Sequence, residues 1–600
     1  MSPVAAILNT DQAALDAVMF RRLLAESGAA SAEISIDRCA GLASAPMAGS
    51  KTMACCASDG RVSVVFDGRL DDRGLLAASL GHARLPGQAG RMSDAELIVS
   101  AYDRWAEDCV SHLLGDFAFC LWDGRTRRLF CARDHFGVKP MYYAHVGHTL
   151  IVSSSLRWLR RYPGVSCRLR KESIGDFLLF GVCQQSHTAF ADISRVPPGH
   201  RLCYALASGR CELTRYWTLE PREPFRHRDP GAYVEEFWRL LCQAVADRVG
   251  AGPVGVLMSG GLDSSSVTAA AIDATGPSAR HRLHAYTIVS GQMSDVEGRL
   301  ASVFAAEHDI QISQIPIQHY QPFDRWESDD RPPEPTLEAL STVMLDVLDL
   351  ASRHGNVVLT GDGGDLLLLP TSLLDQIGHL ALTSLAGDLI RSLRLRLRPP
   401  LGLASRIRQR RTSEDVPGWL ADDLLDHFDP HARWREVRDG RSRCRGARSA
   451  AFDQITDPWW TSMFEGLDPG ATARPVEVRY PFFDVRLATF ALRLPSFPWC
   501  LDKHVLREAT RGKLPNAIRT RPKTPLAADP VSRAAQWSSQ RAVELFERTP
   551  EMAGFVDARK FGSIVRGDSL LSNESLSAWA AISLAMWLHQ GQRSQVKGKG

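Results

Sequence analysis

The chain has 600 residues, with 71 Lys and Arg against 68 Asp and Glu and a formal net charge of +3. That length exceeds what one core normally supports and predicts two or more domains; 44% hydrophobic and 23% charged residues are ordinary for a globular protein in water. Near-neutrality excludes a strong global field for nucleic acid or a membrane surface, and no window reaches the roughly 18 uninterrupted apolar residues of a spanning helix.

The 13 cysteines are scattered, with one adjacent pair, Cys55-Cys56, and no CxxC repeat. That pattern predicts reduced thiols rather than a zinc or disulfide framework. The N-terminus lacks a basic region followed by an apolar signal segment, so a cytoplasmic protein is expected.

In chain order, residues 1–205 carry short apolar runs suited to strands: Val62–Phe66, Phe117–Trp122, Leu129–Ala132, Met141–Ala144 and Leu150–Val152. Between them, Asp94–Leu114 places Leu97, Ile98, Ala101, Trp105, Val110 and Leu113 at helical spacing behind Ser93 as a cap. An α+β domain is expected. Residues 206–230 are polar and Pro-containing and read as a linker ahead of a helix over Tyr233–Arg248. From Val254 the pattern becomes buried strand, glycine turn and helix, with further strands at His284–Val289 and Asn356–Thr360, which predicts an α/β domain with a parallel sheet over 231–590. Within it, 371–470 is helical and arginine-rich, with eight arginines from Arg391 to Arg411; residues 591–600 read as a flexible tail.

The first turn of this α/β region reads Met258-Ser259-Gly260-Gly261-Leu262-Asp263-Ser264-Ser265. Glycines let backbone N–H groups approach oxyanions, a helix N-terminus adds its positive end, and Ser259, Ser264 and Ser265 offer further donors. The lysine of a GxxxxGK[ST] loop is missing. A tight turn with a serine-rich cap is the plain alternative, but seven such residues at one strand–helix junction favour a phosphate site. SGGLDSS resembles the pyrophosphate loop of the ATP pyrophosphatases, which cleave ATP to AMP and pyrophosphate. An aspartate inside an anion site calls for a cation, and Asp263 implies Mg2+. A second glycine-rich acidic turn, with Asp362 and Asp365, follows the strand ending at Thr360. An Asp-Gly turn is common by itself; two of them at the C-terminal ends of parallel strands point to ligand binding.

Over nearly its full length the sequence resembles the asparagine synthetase superfamily. Residues 93–123 and 129–143 resemble a class II glutamine amidotransferase domain, and 477–487, 503–515 and 521–526 resemble the synthetase half. Two departures bear on the nitrogen source. Ser2 stands where glutamine-hydrolysing members have an N-terminal cysteine, and the glutamine-holding stretch reads Phe66-Asp67-Gly68-Arg69-Leu70. This half resembles a retired amidotransferase, which implies an amine carried by the substrate itself, as in the β-lactam, carbapenam and lasso-peptide macrolactam synthetases. The segment 494–530 most resembles the lasso-peptide cyclases.

That resemblance implies ATP and Mg2+ as cofactors and a precursor core peptide as partner, with a leader-recognition protein and a leader peptidase, and neither nucleic acid nor membrane. It implies Mg2+ between Asp263 and Asp365, Lys503 on the ATP phosphates, Lys523 steadying the acyl-adenylate, and Leu257, Ile288, Thr360 and Gly361 lining the adenosine pocket. Asp362 and Glu477 are candidates for orienting or deprotonating the amine. The region 371–470, with Trp434, Trp459 and Trp460, lines a peptide cavity, docks a partner or is a solvated helical surface, the last being the common fate of such segments. An asparagine synthetase using free ammonia, a β-lactam-type synthetase and a non-catalytic precursor-binding scaffold remain as other readings.

Overall fold

The structure is a computed structural model that describes residues 4–26, 32–44, 61–81, 92–220, 222–276, 281–290, 296–328, 330–402, 416–443, 446–522, 539–564 and 575–597. Its first half is built on two antiparallel sheets. One contains β1 (Val4–Asn9), β2 (Glu33–Asp37), β3 (Ala40–Ser44), β7 (Tyr142–Val146), β8 (Thr149–Ser153) and β9 (Ile193–Arg195), in the order β2-β3-β1-β8-β7-β9. The other contains β4 (Val62–Leu70), β5 (Gly115–Asp123), β6 (Arg128–Arg133), β10 (His200–Ala205) and β11 (Arg210–Arg215), in the order β11-β10-β6-β5-β4.

Strand alternation builds the layers. Val4, Ala6 and Leu8 of β1 meet Val65, Ala118, Cys120 and Cys131 in the core between the sheets, while Ala5 and Ile7 face the opposite way into a second core. The outer face of the β4–β5–β6 sheet is covered by the helix Asp94–Trp105, through Leu97, Ile98 and Ala101. Ser93 caps this helix in a full capping box with Glu96, and a 3-10 turn continues it from Ala106 to His112. Residues 210–215, expected at the start of the linker, are a strand that pairs with β10 from His200↔Arg215 to Ala205↔Arg210. All six of its residues are exposed, so the apolar alternation that marks a buried strand is absent.

The second half holds a five-stranded parallel sheet: β12 (Val254–Leu257), β13 (Leu283–Val289), β14 (Gln311–Pro316), β15 (Val357–Leu359) and β16 (Glu477–Arg479), in the order β14-β13-β12-β15-β16. Strand order reverses between β12 and β15, where open sheets of this kind form their ligand crevice. The helices Gly231–Val249, Leu262–Thr275 and Ser341–Ser352 share the large core around it. The final helix, Ser575–Lys597, runs through residues expected to form a tail, continuing past Gly591 as far as the glycine at 598. It joins the two halves: Ala581, Leu584 and Trp587 share a core with Ile174, Phe177 and Phe190 of the amidotransferase-like half. Among the described residues no helix is long and apolar enough to cross a membrane.

Candidate active site

β12 ends in a turn whose shape depends on glycine. Gly260 has φ of +73°, and a Cβ there would stand 2.3 Å from the Glu297 carbonyl oxygen. Gly261 is the extended N-cap of the helix Leu262–Thr275, whose first turn carries Asp263. Serines knit the turn: the Ser259 and Ser264 hydroxyls are 3.1 Å apart, Ser259 N–H donates to Ser264 Oγ (3.2 Å), and Gly261 N–H donates to Ser259 Oγ (3.3 Å). Among the described residues, the fully buried Ser265 hydroxyl has no partner. The result is a compact cradle of donors at the positive end of a helix.

The turn after β15 touches the first one. A Cβ on Gly361 would fall 2.6 Å from the Ser264 backbone nitrogen, and one on Gly364 would fall 2.6 Å from Asp263 Cγ. Only glycine lets these loops meet, and the contact brings Asp263 and Asp365 to one place. Lys503 fills it: its ammonium is ion-paired with Asp263 Oδ2 and lies 2.5 Å from Asp365 Oδ1. Lys503 and Asp502 both hold positive φ, 54° and 47°, a bend that aims the lysine from its 3-10 turn into the crevice.

At the mouth of the crevice, Thr360 Oγ1 donates to Asp362 Oδ2 at 2.5 Å and accepts from the Asp362 N–H. Burial raises the Asp362 carboxyl above its ordinary value, against the Thr360 hydrogen bond. Glu338, in the loop before the helix Ser341–Ser352, is raised in the same way, first by its surroundings and then by the charge of Asp362. Sequence reasoning passed over Glu338, which lies in no motif. Leu257 and Ile288 stand at the C-terminal ends of β12 and β13, on the same edge of the sheet as both turns.

Glu477 is held in an ion cluster rather than beside the two turns. It opens β16 in register with Val357, at the end of the sheet away from the Thr360–Asp365 turn. Its carboxylate lies 3.1 Å from Lys139 of the amidotransferase-like half and 2.6 Å from Arg479. Burial works to raise it, but Arg479, Lys139 and Arg69 overturn that and hold it well below the usual carboxylate range. A carboxylate so stabilised in its charged form is a poor proton acceptor.

Lys139 joins the two halves. Its ammonium also reaches Asp67 (2.9 Å) and Asp468 (3.6 Å). Asp67 belongs to the stretch Phe66–Leu70, and its neighbour Arg69 is bound by Asp116 (2.5 Å) and Asp71 (3.0 Å). The side chains that depart from the glutamine-holding pattern are thus spent on buried ion pairs. A lysine inside the apolar β-rich stretch 129–143 was the available sign of this. Ser2 and Lys523 lie outside the described residues.

A donor-lined turn, two converging carboxylates and a lysine at the switch point of a parallel sheet, behind an antiparallel sandwich, define an ATP-dependent amide-forming ligase. Residues 236–589 match the asparagine synthase family and residues 1–217 the glutamine amidotransferase domain. The chain belongs to the asparagine synthase family. It is 27% identical over 510 residues to asparagine synthetase [glutamine-hydrolyzing] 3 of Bacillus subtilis strain 168, covering 80% of this chain and 77% of that one. A putative asparagine synthetase [glutamine-hydrolyzing] of Mycobacterium bovis is 27% identical over 475 residues, covering 72% and 69%. The amidase chyE of Penicillium rubens is 33% identical over 187 residues, 30% of this chain and 27% of that one.

Proposed function

We propose that the protein is a lasso-peptide macrolactam synthetase. It adenylates an Asp or Glu side chain of a precursor core peptide and closes a ring with the peptide's own N-terminal amine. The observation that carries this reading is the conversion of the glutamine-holding stretch into ion pairs, Asp67 with Lys139 and Arg69 with Asp71 and Asp116. Side chains committed to buried ion pairs are not available to hold glutamine, which supports a nucleophile that arrives with the substrate.

The peptide carboxylate attacks the α phosphorus of ATP, the bond to the departing pyrophosphate breaks, and the acyl-adenylate forms. The 259–265 turn holds the pyrophosphate, and Lys503 neutralises its charge. The amine then attacks the acyl carbon, the bond to AMP breaks, and the amine loses a proton. Asp362, raised above its ordinary value, accepts that proton more readily than the ion-paired Glu477. Lys523 steadies charge in this step by the resemblance given above. The carboxylates of Asp263 and Asp365 converge as hard oxygen donors, a set that suits Mg2+, and they are the residues that would hold it. When bound, Mg2+ neutralises triphosphate charge.

The test uses candidate precursors encoded beside this gene, cleaved from their leaders, together with ATP and Mg2+. A product lighter by one water, with AMP and pyrophosphate in equal amounts, is expected, and glutamine adds nothing. The leader-recognition protein and leader peptidase are expected to act upstream of this step in the cytoplasm. The family relatives favour a second reading, asparagine formation. Asparagine made from aspartate with glutamine or ammonia, and no ring closure, would establish it instead.

A further inference from the structure

The helix Leu382–Arg394, in the arginine-rich region, carries two apolar stripes. Leu385, Asp388 and Ser392 are buried and Leu389 is partly covered; Leu385 and Leu389 pack with Phe497 and Leu501 in a small core of their own. At about 100° per residue, Leu382, Ala386, Ile390 and Leu393 form a second stripe beside the first. That stripe faces water: Leu382 is 71% exposed, Leu393 67% and Ile390 53%. Leu395 and Leu401 extend it beyond the helix.

The surrounding charge is of one sign. Arg391, Arg394, Arg396 and Arg398 are all exposed and, among the described residues, none is ion-paired. The acids of 371–402 are Asp375 and Asp388. Asp388 is buried and bound by Arg226 at 2.6 Å, and Asp375 accepts a hydrogen bond from Ser372. The sequence that follows adds Arg406, Arg408, Arg410 and Arg411, so the positive charge continues along the chain.

The position also matters. Leu501, beneath the helix, opens the 3-10 turn Leu501–Lys503 that delivers Lys503 to the two aspartates. The exposed stripe is therefore about one helix diameter, roughly 10 Å, from the element that carries the active-site lysine.

We propose that this face docks an acidic amphipathic helix of the partner protein that brings the peptide substrate to the crevice. The inference rests on the ring-closing reading above. Alternating leucine and arginine matches a partner of leucine and glutamate. Single-stranded nucleic acid would instead call for aromatic platforms, and the stripe has none.

The experiment uses the full chain and a labelled synthetic helix of 18 residues with leucines at i, i+3, i+4 and i+7 and glutamates elsewhere. Its scrambled and lysine-for-glutamate versions, a DNA duplex and phosphatidylglycerol vesicles serve as competitors. The acidic helix should bind about tenfold or more tighter than its scrambled version, with added salt weakening it. The triple variant Leu382→Gln, Ile390→Gln, Leu393→Gln and the pair Arg391→Glu, Arg394→Glu should each lose about tenfold, with binding of a non-hydrolysable ATP analogue unchanged. Equal binding of the scrambled helix, wild-type binding by the triple variant, or displacement by vesicles or DNA in preference to the acidic helix overturns the proposal. Failure of ring closure with this binding intact would instead strike at the catalytic reading alone.

Discussion

Gly361→Ala is the smallest change that tests the architecture of the crevice. A methyl group placed there stands 2.6 Å from the Ser264 nitrogen, 2.8 Å from the Ser264 Cα and 3.0 Å from the Asp263 carbonyl carbon. All three are backbone atoms, so no side chain can swing aside. Restoring van der Waals contact requires the two turns to part by about 1 Å. Overpacking of this kind typically costs about 1–3 kcal/mol of stability. A displacement of about 1 Å at reacting groups lowers rates by about a hundredfold. Gly361→Ala should therefore weaken binding of a non-hydrolysable ATP analogue, measured by calorimetry, and nearly abolish pyrophosphate release, while the melting temperature falls only a few degrees. Wild-type affinity and rate in this variant would refute the claim that contact between the turns assembles the site.

Lys503→Ala removes the cation between Asp263 and Asp365; AMP formation should fall a hundredfold or more, about 3 kcal/mol of lost transition-state stabilisation, and an unchanged rate would count against its place on the phosphates. Glu477→Gln should lower stability by about 3–5 kcal/mol, because Lys139 and Arg479 lose a buried partner, yet leave the pH profile of the rate unmoved; a shifted profile with intact stability would restore Glu477 as a base. The depressed carboxyl of Glu477 adds stability that is full above its unfolded value of 4.5 and is lost as pH falls through the lower folded value. Asp468 has the opposite sign: burial pushes it up to about 7, so between 3.8 and about 7 the folded state binds more protons and stability declines as pH rises. Urea titrations across that range should show the decline in the parent protein and a flatter curve in Asp468→Asn, whose side-chain oxygen still accepts from the Gly470 N–H.

The crevice was legible in the sequence because its parts are local. A strand, a glycine turn and a helix fall within about twenty consecutive residues, so the 259–265 cradle and the 360–365 turn could be placed before any fold was known. The start of the helix Asp94–Trp105 was equally open to reading through its cap, although the expected segment ran on to Leu114 while the chain turns into a 3-10 stretch from Ala106. What lay hidden depends on distant partners. Glu477 sits within a recognisable motif beside Arg479, the largest influence holding it down, but the next, Lys139, is more than three hundred residues away. Glu338 gains its character from burial and then from Asp362, and no spacing announces either. β14 and β16 escaped because one is a polar edge strand and the other has three residues; neither offers enough alternation to register.

The ion cluster around Lys139 bears on how this protein can change. Asp67 and Asp468 come from opposite halves, and Lys139 holds both. Cutting the chain between the halves would strand these charges, so the amidotransferase-like half is a required scaffold even if it catalyses nothing. On the ring-closing reading, glutamine hydrolysis would demand several linked substitutions, because a cysteine at position 2 would leave Asp67, Arg69 and Lys139 in their ion pairs, and replacing Asp67 alone takes one of three counter-charges from Lys139. On the reading proposed above, the contacts that tie the two halves together are the ones that stand against glutamine hydrolysis.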